Sequence, residues 1–205
     1  MGLPDEHGAR GLRIGVRQAR DRLVKLYPPA DLERFLAAVD SALTHQVDVI
    51  VIGGAAAALH YGVQQATRDV DTWTVVQDDL RAAVEQAHRV TGIDVPFGKS
   101  GVADAPWEFE SRLERALPDL RRLIIRVPER HDLVLMKTIR GDEHDLEAIE
   151  AMHGVVSLSL DTLLARFEDE MSHVVSSPRM LRLNFLTLVE RLFPRDLKRV
   201  AKRLG

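Results

Sequence analysis

The feature that most constrains the fold is an apolar run, VDVIVIGG, that ends in a glycine pair. Residues 47–52 are rich in β-branched side chains and almost entirely apolar, which is typical of a β-strand buried on both faces. Gly53 and Gly54 end the strand, and the alanine-rich residues 55–60 predict a short helix. Because helix N-termini bind anions and glycine lets the backbone approach them closely, this turn is a candidate phosphate site.

A second strand, predicted over residues 69–76, carries two carboxylates. Side chains alternate along a strand, so Asp69 and Asp71 lie side by side on one face. Paired carboxylates are hard oxygen ligands of the kind that Mg²⁺ or Mn²⁺ prefers. Phosphoryl or nucleotidyl transfer needs such a metal and backbone amides near a triphosphate. Each motif alone is common in proteins, and their combination indicates function if the two strands are neighbours.

The composition restricts the class of protein. With 205 residues, 45% of them hydrophobic and 29% charged, the chain is typical of one soluble compact unit. It has no cysteine, which excludes disulfides, thiolate metal sites and cysteine nucleophiles. No apolar run is long enough to span a bilayer and the N-terminus lacks the apolar stretch of a secretory signal. We therefore expect a cytoplasmic protein with no membrane partner.

The stretch VIGGAAAALHYGVQQATRDVDTW resembles the signature of the nucleotidyltransferase superfamily related to DNA polymerase beta, and within it the AbiEii-like toxin branch. The matching positions are Gly53, Gly54, Leu59, His60, Gly62, Thr67, Asp69, Val70 and Asp71. The resemblance implies that Asp69 and Asp71 are catalytic metal ligands. It also implies that Gly53, Gly54, Thr67 and Arg68 bind the nucleotide. One departure is Gln65, which stands where such proteins often carry an arginine.

The stretch VPERHDLVLMKTIRGDEHDLEAI is similar to a downstream element of the same branch. The similarity implies that Lys137 and Arg140 bind the nucleotide and that Asp145 is a catalytic residue, which orients the lysine or accepts a proton. Without the resemblance, the two cations are simply the solvated face of an amphipathic helix.

A third carboxylate completes the site in that superfamily, and its position is open here. Asp94, flanked by apolar residues, is the first candidate for this catalytic role. Asp104, Glu108 and Glu110 are alternatives in the following loop. With only two carboxylates, the site would still bind a metal but would need its base from elsewhere.

The resemblance and the pattern of elements predict an α+β protein, with a nucleotidyltransferase-like mixed β-sheet flanked by helices and followed by a helical C-terminal segment. Further strands are expected near residues 93–97 and over 121–127. We divide the chain into an N-terminal arm (1–30), a nucleotidyltransferase-like domain (31–155) and a helical segment packed on that domain (156–205).

The C-terminal stretch RLFPRDLKRVAKRLG is strongly basic, although the chain as a whole carries a formal net charge of -3. Its cations are Arg191, Arg195, Lys198, Arg199, Lys202 and Arg203. Such a stretch is either a solvated helix end that complements the helix dipole or an electrostatic surface for RNA.

The sequence thus predicts an enzyme: a metal-dependent nucleotidyltransferase that uses an NTP as substrate and moves an NMP to an acceptor hydroxyl. The resemblance implies a tRNA or protein acceptor and a toxin–antitoxin or defence setting, with a cognate antitoxin or toxin as partner. Two alternatives stay open. One is a non-catalytic antitoxin or binding module of the same fold, favoured by Gln65 and by the unassigned third carboxylate. The other is a small-molecule adenylyltransferase that modifies antibiotics.

Overall fold

The computed structural model describes residues 25–100 and 104–205. Most of the predicted N-terminal arm lies outside the described residues. Within them, eight α-helices, one 3₁₀-helix and five strands confirm the predicted α+β class with a mixed sheet and a helical C-terminal segment. No helix in the described part of the chain is long and apolar enough to cross a membrane.

The elements alternate in the first part of the chain and are purely helical at its end. The strands are β1 (Val47–Ile50), β2 (Val70–Thr72), β3 (Phe97–Lys99), β4 (Glu114–Ala116) and β5 (Leu123–Val127). The helices are α1 (Pro29–Ala42), α2 (Gly53–Tyr61), α3 (Asp78–Thr91), α4 (Arg130–Arg140), α5 (Glu143–Val155), α6 (Leu160–Glu170), α7 (Pro178–Leu192) and α8 (Leu197–Arg203), with a 3₁₀-helix at Phe109–Arg112.

The strands form two hydrogen-bonded groups that meet beside the glycine turn. In the first group β5 lies between β1, to which it is parallel, and β4, to which it is antiparallel. In the second group β2 and β3 are parallel, with Asp71 opposite Gly98. The two groups are joined by an antiparallel bridge in which Ile52 N–H donates to the carbonyl oxygen of Asp71 at 2.9 Å. The glycine turn and the carboxylate strand are therefore neighbours.

The element boundaries differ from the sequence-based predictions in four places. The strand predicted over 69–76 stops at Thr72, whose hydroxyl donates to the carbonyl oxygen of Thr74 at 2.8 Å and turns the chain. The strand expected near 93–97 begins only at Phe97. Helix α2 includes both glycines of the turn instead of starting after them. The edge strand β4 was not predicted, because three residues that begin with two charges give almost no strand pattern.

The core is built by helix faces whose apolar spacing is evident in the sequence. In α1, the residues Leu32, Phe35, Leu36 and Val39 are fully buried, as the helical periodicity predicts. Helix α4 lies at the centre of the helical part, and α5, α6 and α7 all pack against it. Because this central helix is held on three sides, its exposed face has a fixed position beside the carboxylate strand.

A buried ionic cluster anchors the first turn of α4. The side chain of Asp132 is fully buried and accepts two hydrogen bonds from Arg112, from Nε at 2.8 Å and from Nη2 at 2.9 Å. It also accepts one from Arg166 at 2.9 Å. Arg112 reaches on to Glu170, with 2.6 Å between Nη2 and Oε2. The cluster joins the 3₁₀-helix, α4 and α6, which are distant in sequence.

Glu129 belongs to the same cluster through its contact with Arg166. It also caps α4, because its carboxylate accepts a hydrogen bond from the backbone N–H of His131 at 3.0 Å. The backbone N–H of Ser159 donates to Nε2 of His131 at 2.8 Å, so the proton of the imidazole sits on Nδ1 and points to Glu129. Burial alone would raise the pKa of Glu129, but hydrogen bonds from His131 and Arg166 lower it to about 2.

Glu129 is expected to make folding stability depend on acid pH. Because its pKa is lower in the folded than in the unfolded chain, its contribution is fully present above about pH 5 and is lost as the pH falls towards 2. Glu129→Gln should reduce the free energy of unfolding at pH 7 by on the order of 2–3 kcal/mol and flatten its decline below pH 5. Urea titrations between about pH 2 and pH 7 measure the free energy of unfolding, and Glu85→Gln, at an exposed glutamate, is the control. If the free energy of unfolding fell equally with pH in wild type and in Glu129→Gln, this prediction would be wrong.

Candidate functional site

The glycine turn has a backbone conformation and a close contact that side chains would disturb. Gly53 has a φ of +68°, and a Cβ atom placed there would lie 3.8 Å from Oδ2 of Asp71. A Cβ atom on Gly54 would lie 3.1 Å from Oγ1 of Thr67, closer than side chains normally pack. Thr67 is itself buried, and its hydroxyl donates to the carbonyl oxygen of Asp69 at 3.2 Å. The turn and the segment before β2 are thus fitted closely together.

The two carboxylates next to this turn lie close enough for Asp69 to disfavour the charge of Asp71. Asp69 and Asp71 are both half-buried. Burial, followed by repulsion from Asp69, raises the pKa of Asp71, while Arg140 and Lys137 partly oppose that rise. A divalent cation between the two carboxylates would remove the repulsion, so the donor set fits Mg²⁺ or Mn²⁺.

The protein ligands of such a cation would be few. In residues 25–100 and 104–205 there is no group of three or more His, Asp or Glu side chains placed to hold a metal. Magnesium is commonly bound by one or two carboxylates with substrate phosphates and water completing the shell. A cation on Asp69 and Asp71 would therefore depend on a phosphate-bearing substrate for its remaining ligands.

Two cations face the carboxylate pair from α4 and are held there by Asp145. Nζ of Lys137 lies 3.2 Å from Oδ1 of Asp145, and Nε of Arg140 lies 2.6 Å from Oδ2. Burial alone would raise the pKa of Asp145, but hydrogen bonds from Arg140 and the charge of Lys137 lower it below its usual range. Asp145 is fully buried and is kept ionised by these two cations, whereas the Arg140 side chain is 67% exposed. Asp142 caps α5 by accepting from the N–H of Asp145 at 2.9 Å, which fixes this carboxylate.

These groups enclose a first cleft of about 360 Å³. The predicted site residues that line it are Gly53, Gly54, Thr67, Arg68, Asp69, Asp71, Lys137 and Arg140. Gln65 and His144, which were not assigned a role from the sequence, also line it. The cleft combines two carboxylates, a helix N-terminus and three strong cations, which is the chemistry that binds a metal–triphosphate complex.

A second cleft of about 410 Å³ is also lined by Asp71. It shares with the first cleft the residues Gly53, Asp71, Lys137 and Arg140. Its other walls are Ile52, Ser100, Asp104, Leu133, Met136, Ile139, Asp145, Val175 and Ser176. The two clefts therefore meet at Asp71, one member of the carboxylate pair.

Comparison with known proteins identifies the family of this chain. The sequence profile of a family described as nucleotidyltransferase of unknown function (DUF6036) matches residues 30–192. The chain belongs to this family. Its membership confirms the predicted nucleotidyltransferase relationship, while the AbiEii-like branch stays a prediction. No curated protein and no solved structure matches the chain.

The candidates for a third carboxylate differ in their distance from the clefts, since only one of them lines a cleft. Asp104 lines the second cleft, and its Oδ2 accepts a hydrogen bond from the N–H of Val175 at 3.3 Å. Asp94 lines neither cleft; it is exposed before β3, and its backbone carbonyl accepts from the hydroxyl of Tyr27. The alternatives Glu108 and Glu110 are also exposed and line neither cleft.

The basic C-terminal stretch lines neither cleft. Part of its charge is paired with acidic residues on other helices. Arg191 contacts Glu143 at 2.7 Å and Glu150 at 2.8 Å. Arg203 contacts Glu168 at 2.6 Å. The stretch is therefore less positive in the folded protein than its sequence suggests.

Proposed function

We propose that the protein is a metal-dependent nucleotidyltransferase that moves an NMP from an NTP to an acceptor hydroxyl. The observation that carries this proposal is the first cleft, where the carboxylate pair Asp69 and Asp71 lies beside the Gly53–Gly54 turn and opposite Lys137. The resemblance to the AbiEii-like branch further supports a toxin–antitoxin or defence setting with a cognate partner protein. Membership of the family supports the type of chemistry and leaves the substrates open.

In this proposal the nucleotide occupies the first cleft. The N–H groups at the start of α2 receive its phosphate oxygens, since Gly53 and Gly54 keep that surface clear of side chains. Lys137 and Arg68, which both line this cleft, bind phosphate charge. Asp69 and Asp71 would hold Mg²⁺ or Mn²⁺, which when bound neutralises the triphosphate and polarises the phosphorus–oxygen bonds.

The reaction is a displacement at the α-phosphorus. The acceptor oxygen forms a bond to the α-phosphorus while the bond to the oxygen that bridges to the β-phosphate breaks, and pyrophosphate leaves with that electron pair. The acceptor proton passes to a carboxylate. We assign this base to Asp104, which faces the second cleft, in preference to the exposed Asp94. The low pKa of Asp145 makes it a poor proton acceptor, so we assign it to positioning Lys137.

Lys137→Ala is expected to weaken NTP binding by roughly 1–3 kcal/mol, because one charge-assisted contact to phosphate is lost. The fold should persist, since Asp145 keeps its two hydrogen bonds from Arg140. Calorimetric titration with a non-hydrolysable NTP analogue and Mg²⁺ measures the effect. Lys198→Ala, an exposed lysine on α8, is the matched control. Equal affinity in wild type and Lys137→Ala would remove Lys137 from the nucleotide site.

The proposed activity is tested by incubating the protein with each α-labelled NTP, Mg²⁺ and a total cell extract. We expect covalent label on an acceptor and an equal amount of pyrophosphate, both abolished by chelation of the metal. Binding of NTP without pyrophosphate release under any condition would favour the non-catalytic module. Failure to bind any NTP would reject the proposal altogether.

A further inference from the structure

We propose that the second cleft binds the acceptor, and that the acceptor is a Ser, Thr or Tyr hydroxyl of a polypeptide and not an RNA. The inference rests on the proposed function, because it identifies the substrate that receives the nucleotide. Its starting point is position: the second cleft shares Asp71 with the first cleft but is not lined by Arg68 or Thr67, so a group bound there meets the nucleotide at Asp71.

The charges of the second cleft disfavour a polyanion. The cations among its wall residues are Lys137 and Arg140, and both are hydrogen-bonded to the buried Asp145. Asp71 and Asp104 add two further carboxylates. An RNA acceptor brings several phosphates, each of which needs a cation nearby. Asp145 engages both cations, and a metal on Asp71 would already bind the nucleotide's phosphates, so the cleft offers an RNA little further positive charge, which a neutral or basic peptide does not need.

The apolar walls of the second cleft suit a side chain. Leu133 is fully buried beneath the cleft, and Ile52, Met136 and Ile139 complete an apolar surface on the same side. A volume of about 410 Å³ is small for a macromolecule but enough for one or two amino-acid side chains. The hydroxyl of such a side chain would lie against a mainly hydrophobic support, with Asp104 as its polar neighbour.

The outer wall of the cleft favours a large partner over a small molecule. Val175 lines the cleft and yet is 90% exposed. The neighbouring Trp107 is 70% exposed, and its ring packs against His173 at 5.2 Å between centroids. Small-molecule sites usually bury most of their ligand. Exposed apolar side chains at the mouth of a cleft instead indicate contact with a protein surface, which extends beyond the cleft and covers them.

The basic C-terminal stretch does not change the preference of the second cleft for a polypeptide over an RNA. Arg191, Arg199 and Arg203 are ion-paired with acidic side chains, and the stretch lines neither cleft. The remaining cations of the stretch, Arg195, Lys198 and Lys202, also line neither cleft and so add no positive charge to the acceptor cleft. In the reaction, the Ser, Thr or Tyr oxygen bonds to the α-phosphorus, pyrophosphate leaves, and the hydroxyl proton passes to Asp104.

The first experiment divides a cell extract into protease-treated RNA, nuclease-treated protein and a filtrate of small molecules. Each fraction is incubated with the protein, Mg²⁺ and α-labelled NTP. We expect label in the protein fraction, and mass spectrometry should find the NMP on Ser, Thr or Tyr. Label confined to RNA or to the filtrate would overturn the acceptor assignment while leaving nucleotide transfer intact. Absence of transfer to every fraction would reject both proposals.

The second experiment tests the cleft itself with Val175→Lys. A lysine at this exposed position should lower labelling of protein by about tenfold, since it places a charge where an apolar contact forms. It should raise labelling if the acceptor were RNA. NTP affinity should not change, because Val175 lines only the second cleft. Val90→Lys, on an exposed valine of α3, is the control. Protein labelling equal to wild type in Val175→Lys would overturn the inference.

Discussion

Asp71→Asn is expected to reduce Mg²⁺-dependent nucleotide transfer by roughly 100-fold or more. Asparagine has nearly the same shape as aspartate but lacks the charge that a hard cation requires. Asp71 also lies where the two clefts meet, so its loss affects the nucleotide and the acceptor side together. Pyrophosphate release and transfer of label from an α-labelled NTP measure the effect.

The stability of the same variant separates a catalytic role from a structural one. Burial and repulsion from Asp69 raise the pKa of Asp71, which means that its negative charge opposes folding near neutral pH. Without metal, Asp71→Asn should therefore unfold at the same temperature as wild type or a higher one. Asp78→Asn, at a fully exposed aspartate on α3, should change neither activity nor stability. Full transfer activity in Asp71→Asn would show that the assigned site is wrong.

Asp132→Asn is expected to lower the free energy of unfolding by about 3–5 kcal/mol. Asp132 is fully buried and accepts hydrogen bonds from Arg112 and Arg166. An amide has one acceptor oxygen and an NH₂ group that faces guanidinium donors, so hydrogen bonds are lost in a poorly solvated place. Arg112 and Arg166 then each keep one carboxylate partner, Glu170 and Glu129 respectively. Urea unfolding at pH 7, followed by circular dichroism, measures the loss.

Asp161→Asn provides the comparison, because Asp161 is 87% exposed and faces Arg199 at 3.7 Å. An exposed pair of this kind contributes little, so we expect a change below about 0.5 kcal/mol. A loss of less than 1 kcal/mol in Asp132→Asn would mean that water or Glu170 replaces the missing charge, and that the cluster does not anchor α4.

The half of the site that is local in sequence could be predicted from the residues. Alternation along a strand places Asp69 and Asp71 on one face, and a glycine pair after an apolar run marks a turn into a helix. Both motifs end in the same cleft because their strands are neighbours. The length of the second strand was overestimated, since the side-chain hydrogen bond of Thr72 that ends it is not visible in an alternating pattern.

The remaining parts of the site depend on contacts between segments that are distant in the sequence. The placement of Lys137 and Arg140 opposite the carboxylates was predicted only through the resemblance, because their helix has an ordinary amphipathic pattern. No sequence signal brought Asp104 and Val175 to one cleft, since loops carry no periodicity from which to infer their neighbours. The same is true of the buried pair formed by Arg112 and Asp132.

The hydrogen bond from Ile52 N–H to the carbonyl oxygen of Asp71 also bears on the order in which the molecule assembles. It closes a short stretch of chain, so the turn and the carboxylate strand meet at a small cost in loop entropy. Lys137 comes from much further along the sequence and must wait for a larger loop to close. We therefore expect the acidic half of the site to form early in the folding transition state, with α4 and its cations docking onto it later.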